Sequence, residues 1–490
     1  MIIGINGGEI QVNKNNSFTT SGVLTGSGTL TLIDNGGNGT PSTYVFNSTA
    51  NDFTGGVVAN NAILNVASFD DSTANNIVFN STLFTAVANN NVGLKFGSGA
   101  VNALTLNNRA IEFNSGAAAT ASIVIQNNNS THGISIAKDL VATGSGAKTL
   151  FLDAVAGPRN IFGGNITDGS DGGTVAITKA GNGTWVLAGS NNTFTGAITN
   201  TTSSTLSMNS ISATGGTVTL GSSSNTGILE YTGSGHTTSR QFQIGPISSA
   251  NGSGAILNNG TGALILSAAT FNINDPTAGG SGGPRTLTLG GNYVGINANE
   301  IQGAILANTG APTLRDINII KSGTSTWSLA GANTYTGGNQ TGNIINGGTL
   351  RGTQTSGTPF GTGAVTINAG ILSLAPTGSG SNVTVTGGTK AAGTLFTYGA
   401  SAQLSLDKGS QTSLTYTFGG TGNTTVRGTN GTLILSTSDI ANFGTAGTKA
   451  ERFIMNGTAP AQVNTLVSGV VIQDRNNGNA GDFAAYNGTD

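Results

Sequence analysis

The chain has 490 residues, 79 of them glycine, with no cysteine and 8% charged residues, against about 25% in ordinary soluble domains. Formal net charge is −2 from 18 basic and 20 acidic residues, too few and too scattered to neutralise phosphates, so no nucleic-acid partner is expected. Absence of cysteine excludes disulfides and thiol chemistry and suits export through an oxidising space, and no apolar run is long enough for a helical membrane span.

The opening, Met1-Ile2-Ile3-Gly4-Ile5, lacks the basic and continuous apolar parts of an export signal. If the protein is secreted, its signal is expected outside this chain. The segment reads as an apolar strand that a neighbouring subunit can accept. Beyond it, period-2 alternation dominates. Val23, Leu30 and Leu32 alternate with Thr and Ser, as do Val218 and Leu220, Leu264 and Leu266, Val365 and Ile367, and Leu372 and Leu374. This pattern, rich in Thr, Val and Ile, predicts half-buried strands. Gly-Ser-Gly, Asn-Gly and Gly-Thr-Gly between them supply turns. The composition is of low complexity, yet 36% of residues are apolar and recur in short runs, which favours a folded chain over disorder. The best helix candidate, Ser436 to Phe443, is short.

The chain also repeats itself. Lys179-Ala180-Gly181-Asn182-Gly183-Thr184-Trp185-Val186-Leu187-Ala188-Gly189 is followed by SNNTFTG, and Lys321-Ser322-Gly323-Thr324-Ser325-Thr326-Trp327-Ser328-Leu329-Ala330-Gly331 by ANTYTGG. A weaker copy runs from Gly26 to Gly56. The aromatic residues of the tails are evenly spaced, 194 − 53 = 141 and 335 − 194 = 141. A long module used repeatedly is expected over residues 1–374 (modules roughly 20–66, 67–208 and 209–350), with a divergent β region over 375–490 that continues or caps it.

Two β architectures fit such strands. A sandwich or barrel brings distant strands together around a wide core with larger aromatics. A solenoid stacks each coil on the last around a narrow core of Val, Ile and Leu. Only 6% aromatic residues and end-to-end repetition favour the solenoid. With roughly 20 to 25 residues per coil, the expectation is about 20 coils in a single elongated rod on the order of 100 Å long. Outward Asn, Thr and Ser are expected to stack in ladders.

Several patterns resemble chemical sites. His132 and His236 are expected in turns, away from the partners that a triad or zinc centre needs. Asp168-Gly169-Ser170-Asp171-Gly172-Gly173 resembles part of a Ca²⁺ loop without its terminal glutamate, and Asp70-Asp71 pairs two carboxylates; turn roles are expected for both. Gly144-Ser145-Gly146-Ala147-Lys148-Thr149 mimics a phosphate loop, but a strand follows it, so no helix dipole meets a phosphate. Polysaccharide lyases and glycosidases need clustered carboxylates; with 20 acidic residues, mostly isolated, such an enzyme is the least favoured of the alternative readings. Trp185 and Trp327 fall at the apolar phase of a strand and are expected in the core, the alternative being sugar-stacking platforms on the surface. The Asn-x-Ser/Thr triplets, such as Asn47-Ser48-Thr49, follow from composition and turn chemistry.

The duplicated sentences resemble the autotransporter-associated β-strand repeat. Its pattern of lysine, glycine, glycine-threonine, apolar-x-leucine, glycine and asparagine-threonine-aromatic-threonine-glycine is met by Lys179 to Gly196 and by Lys321 to Gly337, with Gly348-Thr349-Leu350 closing the second copy. The tail, Glu451 to Gly457, Val467 to Ile472 and Asn479 to Phe483, resembles a terminal module of large members. The resemblance implies a right-handed parallel β-helix, secreted and surface-exposed, in bacteria. It carries no catalytic residues, cofactor or metal ligands to transfer, and the family's outer-membrane barrel has no counterpart in this sequence. The expected role is structural and non-enzymatic. Its first form is self-assembly into an extracellular fibre or surface coat, with copies of itself as partner. Its alternative is a passenger stalk or adhesin that binds glycans or a host surface.

Overall fold

The computed structural model describes residues 1–13, 15–35, 40–81, 92–115, 120–222, 224–245, 252–271, 285–306, 317–337, 341–388, 393–419, 423–444, 451–456, 462–463, 466–476 and 480–485. Nearly every ordered segment is a short strand, and the strands pair in parallel with strands one coil away. The chain divides into two units. One holds Met1–Thr219 with Asn225–Gly233, the other Leu220–Ser224 with Ser234–Asp490.

In the first unit, successive strands of a coil feed different ladders. Val92–Phe96, Leu104–Leu106 and Ile111–Asn114 belong to three separate sheets, and the next coil adds Ala121–Asn127, Ile134–Ile136 and Val141–Thr143 to the same three. Parallel pairing one coil apart on each of several faces makes the unit a β-solenoid rather than a barrel or sandwich. Alternation positions the core. Leu30, Leu32, Val57, Ala59, Ile77, Phe79, Ile111 and Phe113 stack in successive rungs and are all buried. Each buried Leu or Ile contributes roughly 1.5–3 kcal/mol.

In the second unit the parallel pairing recurs. Gly252–Asn258, Arg285–Gly290, Ile317–Lys321 and Asn343–Ile345 form one run. Ser234–Thr238, Gly262–Leu266, Asn299–Ile301, Thr326–Leu329 and Thr349–Gly352 form another. Toward the C-terminus the strands lengthen to Val365–Leu374 and Gly393–Leu406, each bending at a register shift. Leu466–Asp474 then pairs in parallel with Leu433–Thr437 and antiparallel with Gln462–Val463 and Ala480–Ala485.

Coils are more variable than 20 to 25 residues. Val57 pairs with Ile77, 20 residues on, whereas Leu414 pairs with Glu451, 37 on. The ladder pairing of the described strands survives these differences in coil length, so the in/out alternation does not fix it. The helix candidate at Ser436 to Phe443 is the end of strand Leu433–Thr437 followed by a single 3₁₀ turn, Ile440–Asn442. Among the described residues no helix is long and apolar enough to cross a membrane.

Candidate functional site

The duplicated sentences build duplicated hydrogen-bond sets inside the solenoid. Trp185 and Trp327 are fully buried. Trp185 Nε1 donates to the Asp153 carbonyl at 3.0 Å, and Trp327 Nε1 to the Gly290 carbonyl at 3.0 Å. Each indole lies on one face and ties to a strand on another, bridging the core with its N–H satisfied.

Six residues earlier, the lysine closes its own turn. Lys179 Nζ donates to the carbonyls of Ala180 and Gly181, and Lys321 Nζ to those of Ser322 (2.5 Å), Gly323 (3.4 Å) and Gly347 (3.2 Å). Both side chains are buried, and desolvation pushes both ammonium pKa values down to about 8, with nearby Asp153 opposing the shift at Lys179. Two residues after each lysine, Gly181 and Gly323 adopt φ of 63° and 67°. A Cβ there would lie 2.3 Å from the Ala154 carbonyl or 2.4 Å from the Gly291 carbonyl of the coil before, so only glycine fits.

A buried asparagine lies under each tryptophan. Asn160 pairs in register with Trp185, and Asn299 with Trp327. The Oδ1 of Asn160 accepts from Ile134 N (3.0 Å) and Asn127 Nδ2 (2.7 Å), and its Nδ2 donates to the Thr184 carbonyl. The Oδ1 of Asn299 accepts from Leu264 N (2.9 Å) and Asn258 Nδ2 (2.5 Å), and its Nδ2 donates to the Thr326 carbonyl.

A second asparagine recurs in all three copies, two residues before the tail aromatic. Asn51, Asn192 and Asn333 are buried beside Phe53, Phe194 and Tyr335. Their Oδ1 atoms accept from the backbone N–H of Leu24 (2.9 Å), Ile166 (2.9 Å) and Ile305 (2.8 Å). Their Nδ2 groups donate to the carbonyls of Ser48, Gly189 and Pro359. The repeat pattern includes this asparagine but not its buried role, and 192 − 51 = 141 and 333 − 192 = 141 repeat the tail spacing.

The passenger-associated-transport-repeat pattern matches residues 177–200 and 319–351, which hold both lysine–tryptophan pairs and the asparagine–aromatic tails. An adhesin autotransporter, BmaC, of Brucella suis biovar 1 (strain 1330) is 34% identical over 163 residues, covering 31% of this chain and 4% of that protein. The chain carries autotransporter passenger-type repeats. No solved structure gives a significant match. The copy around Asn51 and Phe53 lies outside the matched stretches, yet its Asn51 Oδ1 accepts a backbone N–H as in the two passenger repeats.

The other candidates are part of the scaffold that supports these passenger repeats. The Asp71 carboxylate accepts from the backbone N–H groups of Asn107, Asn108 and Arg109, and Asp70 Oδ1 from Ser72 N at 2.6 Å. Arg109 is buried beneath them. It donates to the carbonyls of Asp70, Gly55, Asn75 and Phe53 and lies 4.7 Å from the Phe69 ring centroid. Asp168 accepts from Val175 N (2.7 Å) and Thr195 N (3.0 Å), and Asp171 Oδ2 from Gly144 N (2.9 Å). Backbone donors thus engage these carboxylates in holding turns. Lys148 of the phosphate-loop mimic points at its own loop, donating to the carbonyls of Gly144 (2.5 Å) and Gly146 (2.9 Å). His132 is a half-buried turn residue. His236 is not in a turn. It lies half-buried in strand Ser234–Thr238, in register with the core residue Leu264 and on the same strand phase as buried Thr238, because the Gly-Ser-Gly before it runs on as strand instead of turning. Among the described residues no three His, Asp or Glu side chains converge as metal ligands.

The expected polar ladders exist. Asn114 Nδ2 donates to Asn80 Oδ1 (3.0 Å), and Asn80 Nδ2 to Asn60 Oδ1 (2.7 Å), along three rungs in register.

Proposed function

We propose that the chain is a non-enzymatic passenger segment, a β-solenoid stalk that holds its outer faces out from a bacterial surface. The observation that carries this reading is the duplicated interior. The repeated Lys, Trp and Asn side chains hydrogen-bond scaffold carbonyls and N–H groups, which suits a part whose task is to keep its shape. The passenger repeat and the resemblance to a protein described as an adhesin support display at the surface. The relative's name, brought to this chain, makes adhesion to a surface or its glycans the finer reading. Immunolabelling of intact and lysed source cells tests the location. Labelling of intact cells is expected, and labelling only after lysis contradicts it. Incubation of the purified chain with pectin-like and chitin-like polymers is expected to release no sugars.

Self-association into a fibre or coat is a second reading. It is favoured by the loop between strands Arg285–Gly290 and Asn299–Ile301, where Val294 is 74% exposed and Ile296 104%. Apolar side chains held in water in this way favour contact with a copy. Sedimentation of wild type against a Val294→Ser/Ile296→Ser variant separates the two readings. Concentration-dependent association lost in the variant supports assembly, and monomers in both refute it.

A further inference from the structure

The loop Gly291-Asn292-Tyr293-Val294-Gly295-Ile296-Asn297-Ala298 joins strands Arg285–Gly290 and Asn299–Ile301 and carries no charge. Val294 is 74% exposed and Ile296 104%, so neither side chain rests on the protein. The first copy of the repeat has a counterpart, between the carbonyl that accepts the indole N–H and the asparagine under the tryptophan. From Asp153 to Asn160 is 160 − 153 = 7, and from Gly290 to Asn299 is 299 − 290 = 9. The shorter loop holds Val155, 39% exposed, and the charged Arg159. The longer one gains two residues, loses the charge and puts two aliphatic side chains in water.

The base of this loop is pinned to the buried asparagine network beneath Trp327. Asn292 N donates to Asn259 Oδ1 (3.0 Å), Tyr293 N to the Asn258 carbonyl (3.1 Å), and Asn258 Nδ2 to Asn299 Oδ1 (2.5 Å). The Tyr293 ring lies against Gly295 and leaves no room there for a Cβ. The anchored backbone holds Val294 and Ile296 outward, so little ordering cost remains to be met on binding. Two aliphatic side chains fall well short of the roughly 800 Å² that each partner of a stable protein interface buries. A second copy would therefore need more surface than this loop supplies. A bilayer needs only apolar side chains that can leave water.

We propose that this loop inserts into a zwitterionic phospholipid bilayer, with Val294 and Ile296 entering the acyl boundary and Tyr293 at the level of the headgroups. Insertion is shallow, because the loop's backbone N–H and C=O groups cannot enter hydrocarbon unpaired. With no basic residue in the loop, the attraction is hydrophobic, and salt does not screen it. The site stands whether or not the chain is a surface stalk, because it rests on this loop alone.

The test is flotation of the purified chain with phosphatidylcholine vesicles, and with vesicles that also contain phosphatidylglycerol, at low and raised salt. Flotation is expected with both vesicles at both salts. Val294→Ser/Ile296→Ser is expected to lower the partition coefficient about ten-fold or more, while Val155→Ser, in the first copy, leaves it unchanged. Ile296→Trp reports insertion directly. Its emission should shift to the blue on adding vesicles and be quenched by brominated lipid, whereas the native tryptophans are already buried. Denaturation midpoints show that the variants stay folded, and should the serine variant fail to fold, Ile296→Trp decides the question. The proposal falls if the wild type does not float, if the folded serine variant floats equally, or if the introduced indole is not quenched. Flotation that needs the anionic lipid and vanishes with salt overturns the hydrophobic assignment. Association without lipid that the serine variant abolishes, with no flotation of the wild type, gives the loop to a second copy and overturns the bilayer.

Discussion

The two passenger repeats match inside and differ outside. In both, lysine closes the turn, tryptophan bridges the core, one asparagine lies under the tryptophan and another fixes the tail. On the outer face, the column Val186, Ser207, Glu230 of the first copy ends at the Arg159–Glu230 ion pair, 3.3 Å apart. The corresponding column of the second copy is Ser328, Arg351, Ser373. A buried polar group without its partner is costly, so the interior set has to be kept together. The outer columns differ in residue type between the two copies and carry no such shared set.

The largest effect is expected from the tryptophans. Trp185→Ala and Trp327→Ala should each destabilise their region by about 3–5 kcal/mol. Each variant leaves the other tryptophan as the fluorescent reporter of the second copy during denaturation. Similar losses sharpen the comparison, and a loss in only one copy breaks it.

Next come the tail asparagines. Asn51→Ala, Asn192→Ala and Asn333→Ala strand a buried backbone N–H, at about 1–3 kcal/mol each. Hydrogen exchange should quicken at Leu24, Ile166 and Ile305 respectively. Unchanged protection at Leu24 would remove the first copy from the set.

The lysines give a pH signature. Below about pH 8, folded and unfolded chains both carry the proton, and the folded state bears the full cost of burying it. Between about 8 and the ordinary value of 10.5, the unfolded chain holds a proton that the folded chain has released. The unfolded state then binds more protons, so stability rises with pH across this window. Each lysine should contribute on the order of 1 kcal/mol or more to that rise. Lys179→Met and Lys321→Met should each flatten part of it in denaturation midpoints measured from about pH 7 to 10. A rise unaltered by either change would contradict the assignment. The smallest effect belongs to the surface, where Arg159→Gln should cost about 0–1 kcal/mol by thermal denaturation.

Much of the fold was legible because burial leaves a trace at every second residue. Leu30 and Leu32, or Leu372 and Leu374, announce the inward face without help. Coil length was not legible, since the 37 residues from Leu414 to Glu451 include a turn that no ladder constrains. Asn192 and Asn333 were hidden by composition. In a chain this rich in asparagine, a buried one looks like a turn residue; the repeat pattern and the 141-residue spacing mark the position, and neither shows that it is buried.

The account depends on successive coils stacking parallel and in register. With no native cysteine in the chain, Thr178→Cys with Thr199→Cys tests this directly, since the two positions face each other on adjacent parallel strands. Neighbouring strands about 4.8 Å apart lie within disulfide reach. Mild oxidation should join this pair, and a Thr178→Cys/Thr193→Cys control should stay reduced. An unlinked Thr178–Thr199 pair in folded protein, or equal linking of the control, would contradict the stacked-coil structure.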